Sequence, residues 1–571
     1  MERRLLLVFA LTFLVLIIFQ PLLMKYVKPT PAEKPEQTQP APPVAKPAVS
    51  VASEAAVSKA PVGAAGVSKQ ASSETQTIIE NKLYRITFSN RGGEVKSWVL
   101  KAYKDDAGKP LELVHATAAG QYGYPLSLWT YDENLRKKLA SALYVANVSG
   151  TQQAPADISF EYADADTSVR KSFHFDESYV VKVDTAVEQN GKQVQAFPAW
   201  PAGFGDQTTP VGYASGRIDY QYGDKTQRLV AKKVSGGNTV AGPFQWAGPM
   251  DQYFGAVFLP DDPAASRMVT LHYAIQIPKE AGSQETRPED VLGAAVGNAN
   301  GATTERMFVG PKSLVVLESI RTTAVEGVET PDLRGMLDFG FFSPIARPLF
   351  LWLRWTHLHW VSNWGWAIIV LTVIINLVLF PLRLTSMKSA LRMQKVQPQV
   401  NAIKKKYEKY SLRDPRRQEM NQEISALFKQ EGVNPAGGCL PMLIQFPFLI
   451  AFYTMLGVAI ELRQANWFWI KDLSAADPYH ILPIGIILST LFVQKMTPQA
   501  GMDPAQQKMM TFFMPVMLGV ISWSLSSGLG LYWVVGNLIA IIQQFFMNRT
   551  SLGQEMRVEA EKRARKKAAK S

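Results

Sequence analysis

The stretch Asn363–Arg392 constrains this chain more than any other. It reads NWGWAIIVLTVIINLVLFPLRLTSMKSALR, opens on Trp364 and Trp366, runs almost purely apolar to Leu382, and then switches to Arg383, Lys388 and Arg392. About 20 apolar residues suffice to cross a bilayer, and indole rings favour its interface. The stretch therefore predicts a spanning helix whose basic end stays in the cytoplasm. Thr372 and Asn376 interrupt it four residues apart, which puts them on one helix face. Polar groups in hydrocarbon turn towards a bundle interior or a wet cavity.

The rest of the chain alternates soluble and membrane patterns. Residues 1–27 open on MERR and continue with an apolar run, Leu5–Met24, longer than a secretory h-region and without a small-residue cleavage site, so an uncleaved transmembrane signal-anchor is expected. Residues 28–76 form a Pro/Ala-rich linker that cannot build a core. Over 77–330, short runs such as TIIENKLYRITF and SFHFDESYVVKVDTAV alternate apolar and polar positions between Gly, Asn and Asp turns. This pattern predicts an antiparallel all-β sandwich on the far side of the membrane. Residues 331–360 carry Ile345, Leu349, Trp352, Leu353 and Thr356 at helical spacing, with Arg347 and Arg354 elsewhere on the wheel, as in an amphipathic helix lying in the interface.

The second transmembrane helix occupies 361–382. The basic block 383–438 reads as a cytoplasmic helical hairpin: Val396, Val400, Ile403, Tyr407 and Tyr410 step by four and three, and Met420, Ile424 and Leu427 answer them. Lys404, Lys405, Lys406, Arg416 and Arg417 crowd towards its tip. Transmembrane helices three to six fall within 439–548, and a basic cytoplasmic tail fills 549–571. Counting from the anchor gives six spans with both termini in the cytoplasm, and the basic segments all fall on that side.

A net charge of +12 admits nucleic acid, ribosome or anionic lipid as partners. Its concentration in the hairpin and tail points to topology and to docking on an acidic partner or anionic lipids, with no specific DNA binding. The lone cysteine, Cys439, and six histidines without HExxH spacing leave no metal site in view. There is no P-loop, dinucleotide fingerprint or GxSxG elbow. Neither an enzyme nor a cofactor is expected.

Intramembrane polar residues share one side. Asn376, Gln445, Gln494 and Thr511 sit in the cytoplasmic halves of their spans, Gln543 and Gln544 close the sixth, and Asn537 lies near its middle. Such sidedness suggests a hydrated groove open only to the cytoplasm, whereas a channel needs polar lining at both ends. Hydrogen bonding between helices is the plainer alternative. Met442, Met455, Met510, Met514 and Met517 cluster in the third and fifth spans, where flexible thioethers suit either a surface accepting varied apolar segments or ordinary core filling.

The segments NWGWAIIVLT, MQKVQPQVNAIKKKY, GVNPAGGCLPMLIQFPFLIAFY, ELRQANWFWIKDLSAADPYHILPI and SSGLGLYWVVGNLIAIIQQ resemble the YidC/Oxa/Alb membrane protein insertases. The anchor, the NRGGEV turn at Asn90–Val95 and the large outer domain resemble the Gram-negative YidC form. The resemblance implies a bacterial inner-membrane protein with a helical bundle, five of whose six spans form the family core, and a periplasmic β-supersandwich. It implies that nascent membrane proteins insert through a cytoplasm-open hydrophilic groove, alone or beside the Sec translocon, with the hairpin and tail serving activity and ribosome contact. By resemblance the groove includes Thr372, Asn376, Gln445, Gln494 and Asn537. A greasy slide includes Met442, Phe446, Phe448, Met455, Met510, Met514, Met517, Tyr532 and Trp533. The chain departs from the family in having Asn376 where a groove arginine is usual. Arg383, seven residues on and near the same face, is expected to substitute in part, a plain positive-inside anchor being the alternative. A secondary transporter would need paired ionisable residues near the midplane and inverted repeats, and the sequence has neither.

Overall fold

The computed structural model describes residues 68–105, 107–205, 216–279, 284–325, 332–410, 414–432, 440–496, 508–551, 554 and 558. The expected anchor, most of the linker and most of the basic tail lie outside these, as do the side chains of Met442 and Gln445. The chain divides into two units. The larger comprises Ala64–Gly501 with Met514–Ser571; of the smaller, the π-helical turn Met509–Phe513 is described.

The first half of the larger unit is an all-β domain of three sheets. One has five strands in the spatial order Pro110–Glu112, Glu94–Lys104, Tyr84–Ser89, Gln76–Glu80 and Gly150–Gln153. The largest has ten, with Thr303–Pro311 between Phe254–Pro260 and Val180–Gln189 near its middle. The third is built on the long hairpin Ser266–Pro278 and Thr286–Asn298. Alternation sets which face is buried: in Thr167–Phe175, Val169, Lys171, Phe173 and Phe175 point inwards while Arg170 and His174 face solvent. Trp98, Trp200, Trp246, Phe88 and Phe160 fill the core.

Lys171 is an inward cation, and a turn explains it. Gly92 and Gly93 adopt φ of 72° and 53°, a region glycine enters without steric cost. The turn directs the Gly92 and Gly93 carbonyls, with that of Leu126, onto the Lys171 ammonium, which donates to them at 3.0, 2.6 and 2.5 Å. Each of its three donors is thereby satisfied.

Among the described residues, eight α-helices follow the β-domain: α1 (Ser343–His359), α2 (Trp364–Val378), α3 (Phe380–Lys406), α4 (Arg416–Gln430), α5 (Leu440–Val458), α6 (Ile481–Met496), α7 (Met514–Ile521) and α8 (Ser527–Met547). Among the described residues, α8 alone is long and apolar enough to cross a membrane; Trp364–Val378, Phe446–Val458, Ile481–Met496 and Met509–Ser524 are shorter apolar helices. The apolar run that opens at Trp364 is thus two helical pieces. Pro381 has no N–H to offer the Leu377 carbonyl, so α2 ends and α3 begins across Leu379.

Helix α1 buries Ala346, Leu349, Phe350, Leu353 and Thr356 against α5 and α2. Trp352, expected on that inner stripe, faces outwards with Leu351 and Trp355. The helix is apolar on both sides, so periodicity alone could not orient it. Its entrance is held by charge: Arg217 and Arg228 bridge the buried Asp219 of the β-domain and Asp338, at 2.9 Å from Arg217 to Asp219 and 3.1 Å from Arg228 to Asp338. The β-domain also meets the last turn of α5 and the loop beyond it. Gln252 donates to the Gly457 carbonyl, and Gln464 donates to the Lys104 and Asp105 carbonyls at 3.0 and 3.2 Å.

Glu305, in the middle of the largest sheet, is 1 % exposed, and its carboxyl oxygens have no hydrogen-bond partner among the described residues. Burial, with Asp261 nearby, raises its pKa well above the ordinary 4.5. The native state therefore keeps a proton that the unfolded chain loses, so this group lowers stability progressively as pH rises above 4.5. Glu305→Gln removes that dependence. Its stabilisation should grow with pH, by at most about 1.4 kcal/mol per pH unit. Thermal unfolding of the full chain at about pH 5 and about pH 8 tests this; an equal melting difference at both would refute it.

Candidate substrate groove

The start of α2 shows why NWGW stands there. Asn363 caps the helix, its Oδ1 accepting from the Gly365 and Trp366 N–H groups at 3.0 and 3.3 Å, and its Nδ2 donates to the Asn466 carbonyl at 2.9 Å. The face of Gly365 lies against the Trp467 side chain, leaving no room for a Cβ. Cap and close approach together pin α2 to the loop between α5 and α6.

Further along α2, the two polar residues behave differently. Thr372 is fully buried, and its hydroxyl donates to the Ile368 carbonyl at 2.7 Å within its own helix. It fills the bundle rather than exposing a polar surface. Asn376 is half-buried, donates to the Thr372 carbonyl at 2.9 Å, and faces Gly536 of α8. Gln543 of α8 reaches across and donates to the Asn376 main-chain carbonyl at 3.3 Å. Its Oε1 accepts from the Arg383 guanidinium at 2.6 Å. Arg383 is only half-exposed, so its long stem turns into the bundle instead of snorkelling outwards. Asn376, Arg383 and Gln543 thus form one polar cluster across α2, α3 and α8.

A second cluster lies on another side of α8. Asn537 donates from Nδ2 to Ser489 Oγ and Thr490 Oγ1 of α6, both at 2.9 Å. Six residues separate Asn537 from Gln543, about a third of a turn short of two full turns, so the two amides address different neighbours. Gln494, at the end of α6, is half-buried. Ser489 and Thr490 escape a reading of the sequence because hydroxyls are unremarkable in an apolar run. Gln543 was visible only as a residue closing the sixth span.

The expected slide residues also divide. Phe446 is exposed, while Phe448, Met510, Met514, Met517 and Trp533 are half-buried. Met455 is fully buried, and Tyr532 stacks on Phe452 with ring centroids 4.1 Å apart, so neither offers a surface. Among the described residues, the large apolar side chains exposed on α5 and α7 are Phe446, Tyr453, Val516, Val520 and Ile521.

In the hairpin, Met393, Val396 and Val400 of α3 meet Ile424, Leu427 and Phe428 of α4. Lys404 and Lys405 are exposed, and Lys406 pairs with Glu423 at 3.2 Å. At the tip Arg416 pairs with Asp414 at 3.0 Å and lies over the Tyr410 ring, whereas Arg417 donates to the Tyr410 carbonyl at 2.9 Å. Among the described residues no group of His, Cys, Asp and Glu is arranged to hold a metal ion.

Two family models match the chain: the YidC periplasmic domain over residues 76–352 and the 60Kd inner membrane protein over residues 355–554. A membrane protein insertase YidC of Geobacter sulfurreducens is 33% identical over 487 residues, covering 82% of this chain and 85% of the relative. One from Bordetella avium is 29% identical over 490 residues, 83% of each. A solved structure of an active YidC insertase covers 85% of this chain and 94% of its own at 19% identity, with a TM-score of 0.35.

Asn537→Leu removes the clasp between α8 and α6 and leaves two hydroxyls to their own helix. The expected loss is roughly 0.6–2 kcal/mol, read as a lower melting temperature in detergent. Asn537→Ser should recover part of it, and a variant as stable as the parent would refute the clasp.

Proposed function

The chain belongs to the YidC family of membrane protein insertases, and on that premise we propose how its own residues carry out insertion. It is an insertase and not an enzyme. It lies in the bacterial inner membrane with six spans and both termini cytoplasmic, the anchor over 1–27 and the all-β domain periplasmic. The basic hairpin and tail support this orientation, because Lys and Arg accumulate on the cytoplasmic side.

The polar tail of a nascent membrane protein enters a half-depth groove bounded by Asn376, Gln494, Asn537 and Gln543. Arg383 is its cation. The observation that carries this reading is the Arg383–Gln543 hydrogen bond, which holds a guanidinium inside the bundle one helical segment below Asn376. At about 4 Å and an effective dielectric near 20, a charge pair is worth up to roughly 4 kcal/mol. That is ample to favour acidic tails. A hydrated recess also shortens the hydrocarbon that a polar tail must cross. The hydrophobic segment then leaves along the third and fifth spans beside Phe446, Met514 and Met517, driven by about 25 cal/mol for each Å² it buries. The hairpin cations Lys404, Lys405 and Arg416 contact the ribosome or anionic lipids, and the Sec translocon is a partner for larger substrates.

Reconstituted protein and a single-span substrate test the groove. Arg383→Ala should slow insertion of an acidic-tailed substrate by about tenfold, equivalent to 1.4 kcal/mol, and a neutral-tailed one much less. Adding Asn376→Arg should restore the acidic preference. If Arg383→Ala handles both tails as the parent does, Arg383 is a topological anchor only.

A further inference from the structure

The segment that crosses from the largest sheet to the third is fastened by one histidine. It leaves strand Lys225–Val230 at the edge of the largest sheet, turns over Ala231–Lys233, and joins Ser266–Pro278 as the short edge strand Thr239–Ala241. Its later half is zipped through the main chain: the Gly237 N–H donates to the Thr270 carbonyl at 2.7 Å, and the Thr270 N–H to the Asn238 carbonyl at 2.9 Å. Its earlier half is held by side chains. Thr270 Oγ1 donates to the Ser235 carbonyl at 2.8 Å, and His272 Nδ1 lies 2.9 Å from the Val234 carbonyl. Gly236 is pressed onto the same strand, where an added Cβ would meet the His272 carbonyl oxygen at 3.3 Å.

The second ring nitrogen sets the protonation state. His272 Nε2 lies 3.0 Å from the carboxylate of Asp290 on the neighbouring strand. A carbonyl and a carboxylate only accept, whereas a neutral imidazole has one donor and one acceptor. Both contacts are therefore hydrogen bonds only when the ring carries two protons. Partial burial opposes that charge, but the bonds to Asp290 and Val234 outweigh it and hold the pKa above the ordinary 6.5. Asp290 is the charge that acts on the ring. Glu289 of the same strand pairs with Arg287 at 3.2 Å, Lys232 and Lys233 of the turn are solvent-exposed, and Arg228 of the preceding strand is held by Asp338.

We propose that His272 is a proton-operated latch: doubly protonated, it ties the 231–238 crossover to the third sheet, and on giving one proton to solvent it releases that segment at Val234. The carboxylate is the stronger acceptor, so the remaining proton stays on Nε2 and Nδ1 turns a lone pair to the Val234 carbonyl. The latch is closed below pH 6.5 and opens as pH rises through the higher folded-state pKa. It stands beside the joint with the bundle, because Thr226 and Arg228 of strand Lys225–Val230 both donate to the Gly335 carbonyl ahead of α1, at 3.4 Å each. It does not require the insertase reading.

Hydrogen exchange of the full chain in detergent, read by mass spectrometry and corrected for the intrinsic pH dependence of amide exchange, tests the latch. Between about pH 5.5 and about pH 8.5, protection of residues 231–238 should fall several-fold. His272→Ala should show the lower protection at both pH values. Asp290→Asn should show the higher protection at both, because an amide can donate to Nε2 and let a neutral ring keep Nδ1–H on Val234. Asp290 is solvent-exposed, so Asp290→Asn retains the fold even where His272→Ala does not. Constant protection in the parent, or a fall in either variant matching the parent's, overturns the latch. So does an equal fall across Val180–Gln189, which would place the effect in the domain as a whole.

Discussion

Helices in hydrocarbon gain nothing from hydrophobicity against one another, because lipid tails are as apolar as leucine. What holds such a bundle is close packing and the few polar contacts available, and here those converge on α8. One of its sides gives Asn537 to Ser489 and Thr490 of α6. Another gives Gln543 to Arg383 and to the Asn376 carbonyl. Gly530 beside Leu482 and Gly536 beside Asn376 let the neighbouring helices approach. Polar side chains that would be expensive in lipid become the links between helices.

The β-domain is joined to this bundle by contacts of a different kind. Asp219 and Asp338 share two arginines at the entrance to α1, and main-chain carbonyls at both ends accept from Gln252 and Gln464. Inside the domain, Lys171 receives three carbonyls whereas Glu305 receives none. Burial is met by satisfying three donors in one case and shifts the carboxyl towards its neutral form in the other.

In the proposed groove, moving the cation from the position of Asn376 to Arg383 would change what is asked of a substrate. A charge at mid-span would attract a tail that has already entered. A charge one helical segment farther along, hydrogen-bonded to Gln543, would act during entry, where partial hydration makes the interaction weaker and less costly to release.

How much was legible beforehand follows from how far each signal reaches along the chain. The strands were readable, since alternation in TSVRKSFHF is local and the buried face follows from it. So was the family, carried by long motifs such as NWGWAIIVLT, and the helical character of the spans. Their lengths were not, because Pro381 ends α2 inside what reads as one apolar run. Nor was the orientation of α1, apolar on both sides. Partners were least legible of all: Arg383 meets Gln543 160 residues away, and Asn537 meets Ser489 48 residues away. Sequence alone determined the class, the membrane and where along the chain charge collects, because hydropathy and charge act residue by residue. Tertiary structure alone decided which polar groups meet and which, like Thr372, are sealed within their own helix, because a helix's rotation is set by the neighbours it packs against.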